Sequence, residues 1–261
     1  KRSLQQSIKG GAQRFKKAIV LQGTTNADPA TMKGAYVIDD IPIPFENPYK
    51  IPMTLSGVAF AKDGSAYVST MLGDIWRVSG LDNDLKAVKW KRCASGLNLP
   101  MGLCFVKDEL YVLCRDRVMK LKDLNGDYEI DSFQTHYLLS RFANLISQNL
   151  DSDSQGNLYF NNNTGIYKVT VNDKKLIRIG HGARNSFGLG VRADGLCLTD
   201  SSEGNLNNGT CTIYESDHAE NKKTVGKIKR IMYLPRGIDN SPGSRLFCND
   251  PRFGPLSKNI I

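Results

Sequence analysis

The run DLNGDYEID, residues 123–131, carries oxygen-bearing side chains at alternate positions. Asp123, Asn125, Asp127 and Asp131 stand at positions 1, 3, 5 and 9 of a calcium-type loop, with the Glu129 carbonyl at position 7 and Gly126 permitting the turn. Oxygen ligands spaced this way can wrap a hard cation. The run lacks the bidentate acid that closes a full EF-hand loop, so two readings stand: a structural calcium ion that pins the loop, or a polar turn without metal. A second stretch, GHGARNSFGLGVRADG at residues 180–195, sets His181 and Arg184 among glycines ahead of an alternating run. It poses a choice between a redox-cofactor contact and a corner between strands.

Other chemistry lacks its signature. His136, His181 and His218 are too scattered for a multi-histidine metal site. There is no G-x-S-x-G, no Walker loop and no dinucleotide fingerprint opening a helix, which leaves hydrolase, nucleotide-hydrolase and nicotinamide readings without support. The six cysteines form no C-x-x-C and no C-x-x-C-H, so neither zinc nor covalent haem is encoded, and disulfide pairing stays open. Sequons at Asn162 and Asn208 lie in Asn-rich, turn-like sequence where a glycan fits a secreted chain. No apolar run approaches the roughly 20 residues of a membrane helix, and the first residues lack the apolar stretch of a secretory signal.

The formal charge of +9 is unevenly spread: Lys1, Arg2, Lys9, Arg14, Lys16 and Lys17 precede any acid. Such a block reads as a solvated tail or as a docking arm that meets an acidic partner. Nucleic acid is not expected, because Phe15 is the only aromatic residue in this block and no nucleic-acid-binding motif follows.

The elements that must position these residues are short strands. Apolar runs meet a turn and resume in LSGVAFAKDGSAYVST at Asp63-Gly64, in MGLCFVKDELYVL near Asp108, in NLDSDSQGNLYF around Gly156 and in GLGVRADGLCLTD at Asp194-Gly195. A weaker copy is SPGSRLFCNDPRFGPL. The turns recur about every 40 to 50 residues, the period of propeller blades. Alternation of Val58, Phe60, Ala66 and Val68, and of Leu103, Phe105, Leu110 and Val112, gives each strand one face for a neighbour. YLLSRFANLISQNL and TVGKIKRIMYL are ambiguous, the former allowing one short helix between blades. The expected fold class is all-β, a six-bladed β-propeller of which this chain covers about five blades. A basic N-terminal extension at residues 1–33 precedes a propeller domain at residues 34–261.

Segments from residue 36 to residue 256 resemble, in order, the bacterial membrane-bound-dehydrogenase proteins related to sorbosone dehydrogenase, within the quinoprotein soluble sugar dehydrogenases. The resemblance is carried by YVIDDIPIPFENPYKIPMTLSGVAFAKDGSAYVSTMLGDIWRVSGLD, VLCRDRVMKLKDLNGDYEID, GARNSFGLGVRADG, DSSEGNLNNGT and YLPRGIDNSPGSRLFCNDPRFGPL. It implies a central pocket holding pyrroloquinoline quinone (PQQ) near calcium and oxidising a sugar hydroxyl or aldehyde, with a general base and a cation assisting. Arg184 and Asn185 match the family's R-N-x-x-G-L motif as cofactor contacts, and Gly188 and Leu189 complete it.

The chain departs from the family at the base. Relatives carry a His about a dozen residues before the glycine corresponding to Gly156, and Asn144 stands there in this sequence. An amide cannot take the proton. Leu206 also replaces an aromatic residue that relatives place after the motif. The first functional expectation is therefore a secreted binding or structural module, extracellular or periplasmic, that faces a carbohydrate ligand or an extracellular protein assembly. The alternative is an active PQQ-dependent oxidoreductase acting on a sugar or related alcohol or aldehyde.

Overall fold

The computed structural model describes residues 8–26, 37–140, 145–181, 186–201, 211–215, 229–234, 243, 246–248 and 250–257. Two compact units divide the chain, one of Lys1–Leu110 with Lys120–Gln134 and the other of Tyr111–Met119 with Thr135–Ile261.

The turns form where the sequence places them. Gly64, Gly156 and Gly195 take φ of +80°, +88° and +89°, a region open to residues without a Cβ. At Lys107 and Asp108 two successive positive φ values, +49° and +66°, close the hairpin without glycine. Asp63 reinforces its turn by accepting from the Ser65 N–H at 2.9 Å and the Ser65 hydroxyl at 2.6 Å.

Between these turns lie antiparallel meanders. Strands β2 (Leu55–Phe60), β3 (Ala66–Thr70), β4 (Ile75–Ser79) and β5 (Val88–Ala94) form the first sheet, which β1 (Ala18–Leu21) extends beyond β5. The second sheet runs β6 (Gly102–Val106), β7 (Glu109–Leu113), β8 (Arg117–Lys122) and β9 (Ser132–Leu138). The third holds β10 (Gln148–Ser152), β11 (Leu158–Asn162), β12 (Gly165–Val169) and β13 (Leu176–Gly180). The fourth holds β14 (Leu189–Val191), β15 (Cys197–Ser201), β16 (Cys211–Glu215) and β17 (Lys229–Leu234). Successive four-stranded meanders of this kind are the build of a β-propeller.

The predicted alternation is the observed register. Val58 pairs with Val68 and Phe60 with Ala66, and the same face continues through Trp76, Val78 and Trp90. Met53 is buried with Ala66, Val68, Trp76, Val78 and Trp90, and Ile43, Tyr49 and Ile51 of the Pro-rich run and Ile19 and Leu21 of β1 pack against them, whereas Val58 and Phe60 of β2 are exposed. Burial of large apolar side chains of this size contributes about 1.5–3 kcal/mol each.

The ambiguous segments are strand at their described ends, with Ser140 in 3-10 conformation and residues 141–144 and 224–228 outside the described residues. Tyr137 and Leu138 end β9, Gln148 to Leu150 begin β10, and Lys229–Leu234 is β17. Among the described residues there is no α-helix. The weak fifth repeat differs from its expected strand form: Pro251–Leu256 is a 3-10 helix, capped by Asp250, whose side chain accepts from the Arg252 N–H. Pro251 and Pro255 bring no N–H to a ladder, which favours the short helix over a strand.

Candidate functional site

The described half of the R-N-x-x-G-L motif lies at the entry to β14 and is held by a buried frame of amides and hydroxyls. Asn161, at the end of β11, reaches the Ser186 hydroxyl at 2.7 Å, the Ser186 carbonyl at 3.1 Å and the Gly188 carbonyl at 3.3 Å with Nδ2. The Thr199 hydroxyl of β15 donates to the Gly188 carbonyl at 2.7 Å and is hydrogen-bonded to the Ser186 hydroxyl. Asp200 accepts from the Phe187 N–H at 2.8 Å. Asn149 closes the set, donating to the Phe187 carbonyl at 2.7 Å and to Asn161 Oδ1 at 3.1 Å. Asn161, Thr199 and Asp200 are fully buried and Ser186 nearly so, an environment in which an unpaired polar group is costly.

This frame explains the motif's glycine. A Cβ on Gly188 would stand 2.3 Å from the Gly243 carbonyl oxygen and 2.8 Å from Asp200 Oδ2. Backbone must approach closely there, and only glycine leaves the space. The neighbouring Phe187 side chain is 45% exposed. Ser186 to Gly188 are thus oriented rigidly by their neighbours, with Phe187 presented outward. Arg184, Asn185, Asn144, Leu206 and Asn208 lie outside the described residues. His181 is partly buried just after β13, three residues before the motif begins.

Two carboxylates brace the same unit. Asp151 of β10 accepts from the Val191 N–H at 2.9 Å and the Ser152 N–H at 2.8 Å; burial pushes its carboxyl up against these bonds. Asp153 is buried too, yet bonds from Asn157 and the Tyr159 hydroxyl, with Lys168 nearby, outweigh the desolvation and hold it below the usual carboxylate range. Tyr159 OH donates to Asp153 at 2.8 Å and would meet a Cβ at Gly195 at 2.7 Å, so the Asp194-Gly195 corner is locked onto the Asp153 turn.

The other predicted site has a different occupant. The calcium-type spacing brings Asp123, Asn125, Asp127, Glu129 and Asp131 into one loop, but their oxygens face N–H donors. Asp123 accepts from the N–H groups of Asn125, Gly126 and Tyr128 at 3.1, 2.8 and 2.7 Å. Asn125 Oδ1 accepts from Asp127 N–H at 3.2 Å, and Asp127 from Glu129 N–H at 2.9 Å. Asp131 takes the Leu124 N–H at 3.0 Å and the Gly11 N–H at 2.7 Å. Glu129 turns its carboxylate to Arg14 and Phe15. Among the described residues no three His, Cys, Asp or Glu side chains converge to hold a metal. As arranged, the loop does not fit a calcium ion.

The basic segment is therefore no solvated tail over residues 8–21; the acids it meets belong to the same chain. Asn162 of the first sequon is 2% exposed, its Nδ2 aimed at the Ser147 hydroxyl, so that amide does not present itself for a glycan. Cys93, Cys104, Cys114, Cys197 and Cys248 are buried, and burial pushes the Cys93 thiol up to about 12.

Sequence reasoning missed Asn149, Asn161, Thr199 and Asp200. The available signal was polar residues closing apolar strands: Asn161 and Asn162 after Leu158, Tyr159 and Phe160, and Thr199 and Asp200 after Leu196, Cys197 and Leu198.

No family profile and no curated protein matches the chain. Among solved structures, it is similar to the PQQ-bound aldose sugar dehydrogenase of Streptomyces coelicolor, at 11% identity and a TM-score of 0.54 over 75% of this chain and 72% of that one. It is similar to a gluconolactonase of Xanthomonas campestris, at 11% identity and 0.51 over 74% of this chain and 66% of that one. A carbohydrate-active enzyme of family AA12 from Trichoderma reesei gives 13% identity and 0.54 over 67% and 55%. This likeness shows the fold: an all-β propeller, of the architecture that serves those proteins.

Proposed function

We propose that the chain is a carbohydrate-binding propeller module of the sugar-dehydrogenase type that has given up quinone-dependent catalysis and works outside the cytoplasm. The observation that carries this reading is a mismatch within one ancestral site. The R-N-x-x-G-L segment keeps its glycine and a hydrogen-bonded frame at Ser186, Phe187 and Gly188, whereas the position of the family's base holds Asn144. A retained scaffold with an amide in place of the base supports recognition without proton abstraction. The three structural neighbours, named for an aldose sugar, a gluconolactone and carbohydrate activity, support a sugar as ligand.

The second reading, an active PQQ-dependent oxidoreductase, is favoured by Arg184 and Asn185, which match the motif's cofactor contacts. PQQ, when bound, supplies the hydride acceptor. The described motif residues would hold the adjoining segment in place, since Ser186, the Phe187 backbone and the Gly188 carbonyl are already hydrogen-bonded to the frame.

The experiment is reconstitution with PQQ and calcium, followed by dye reduction and calorimetric titration over a panel of aldoses. Saturable sugar binding without dye reduction is expected. Saturable dye reduction that vanishes in Arg184→Ala would replace the first reading with the second, and absence of both binding and turnover would remove both. Fractionation of expressing cells tests the extracytoplasmic setting.

A further inference from the structure

The loop at residues 123–131 and the edge of β5 together grip one extended segment of the chain, through its main chain and through the residue types at Gly10, Gln13, Arg14 and Phe15. Gly10 has φ +81°, and a Cβ there would stand 2.8 Å from Asp131 Oδ2. Gly11 donates its N–H to Asp131 at 2.7 Å and accepts from Asn125 Nδ2 at 2.8 Å. Gln13 donates to the Asp127 carbonyl at 2.9 Å. The Glu129 carboxylate, only 4% exposed, receives the Arg14 N–H at 2.8 Å, the Phe15 N–H at 3.0 Å and the Arg14 Nε at 2.6 Å, while the same guanidinium donates to the Ile130 carbonyl at 2.9 Å.

Phe15 then lies beneath the Arg92 guanidinium, 4.5 Å from its ring centroid, and edge-on to Tyr49 at 5.8 Å. The Tyr49 hydroxyl donates to the Lys17 carbonyl at 2.9 Å. From Ala18 onward the segment is β1, in antiparallel register with β5 from Ala18 opposite Lys91 to Leu21 opposite Val88. Such an arrangement has the form of peptide recognition by strand addition: ladder bonds supply affinity, and a carboxylate and an aromatic seat supply specificity. Opposite charges meet where the Arg14 guanidinium pairs with the Glu129 carboxylate.

We propose that this surface is a binding site for an extended Gly-Gly-x-x-Arg-aromatic peptide leading into a β-strand, filled in cis by residues 10–21 and able to take the same segment from a second copy of this chain. The exchange is a domain swap in which one strand changes molecules while every contact is kept.

The test keeps the full chain and inserts a protease site within residues 27–36, so that the folded protein is cut after it has formed. A labelled synthetic peptide of residues 8–26 is added in excess and its incorporation followed by fluorescence anisotropy and gel filtration. Saturable incorporation is expected, weakened at least about tenfold by Arg14→Ala in the peptide or by Glu129→Gln in the protein. Failure of the native peptide to enter at hundredfold excess, or equal entry of the Arg14→Ala peptide, overturns the proposal. In the uncut chain, Glu129→Gln is expected to raise amide exchange at residues 10–21 while β3 and β4 stay protected; unchanged exchange at residues 10–15 also overturns it.

Discussion

Two polar clusters organise this protein in opposite ways. The seat around Glu129 is charged, draws its ligand from about 115 residues away, and joins a basic segment to an acidic loop. The frame around Asn161 is built mainly from neutral amides and hydroxyls, with Asp200 as its one acid, and fixes three consecutive backbone positions between neighbouring strands. Charge serves attachment in the first, where one partner stays half in water and the bond can be remade. Neutral groups serve positioning in the second, where a buried donor without an acceptor would be costly and where little movement is tolerated.

The contrast breaks most decisively at Asn161. Asn161→Leu leaves the Ser186 carbonyl without its buried donor and should cost about 2–4 kcal/mol in urea unfolding; a loss under about 0.5 kcal/mol would show that the frame is incidental. Glu129→Gln should cost less, about 1–2 kcal/mol, because Arg14 is largely exposed and water replaces part of what is lost. Limited proteolysis should then cut within residues 8–21 first, and a globally increased cleavage pattern would contradict a local attachment.

Acid sharpens the same distinction. Burial opposes ionisation of Glu129, but the Phe15 and Arg14 N–H groups and the Arg14 guanidinium outweigh it and hold the carboxyl below its ordinary range. Asp153 is depressed likewise. Depressed native values mean the unfolded state binds more protons, so the stability contributed is complete above about pH 4–4.5 and fades as the pH falls through the native values. Asp151, raised by burial, acts with the opposite sign and weakens the fold above its ordinary value. Thermal melts from pH 6 to pH 2 should flatten in Asp153→Asn.

Smaller effects follow. Chelator should leave the melting temperature unchanged, since the acids of residues 123–131 already bond to N–H donors; a fall of several degrees would restore the cation reading. Lys62→Ala, which removes an ion pair to Asp108 with both partners exposed, should change stability by no more than about 0.5 kcal/mol.

The fold was legible because its determinants are local. A positive φ at Gly64 or Gly195 and alternation through Val58, Phe60, Ala66 and Val68 are written within a few residues. Asn161 and Ser186 are not, since nothing in either strand's own pattern names a partner 25 residues away. The acidic loop left two readings open for a physical reason. A carboxylate or amide that bonds the N–H two residues ahead repeats at the same alternate spacing as the ligands of a cation loop, as Asp123, Asn125 and Asp127 show. What distinguishes the two is where a distant basic segment lands, and spacing carries no record of that.

The fifth strand of the first sheet sets an order of events during synthesis. Arg14 leaves the ribosome long before Glu129 is translated; at about 5–20 residues per second, the 115 intervening residues take roughly 6 to 23 s. β5 is complete only at Ala94, so its edge, with Val88 and Trp90 in it, stands for roughly the last 35 residues of that interval, about 2 to 7 s, before the arm can be anchored on Glu129.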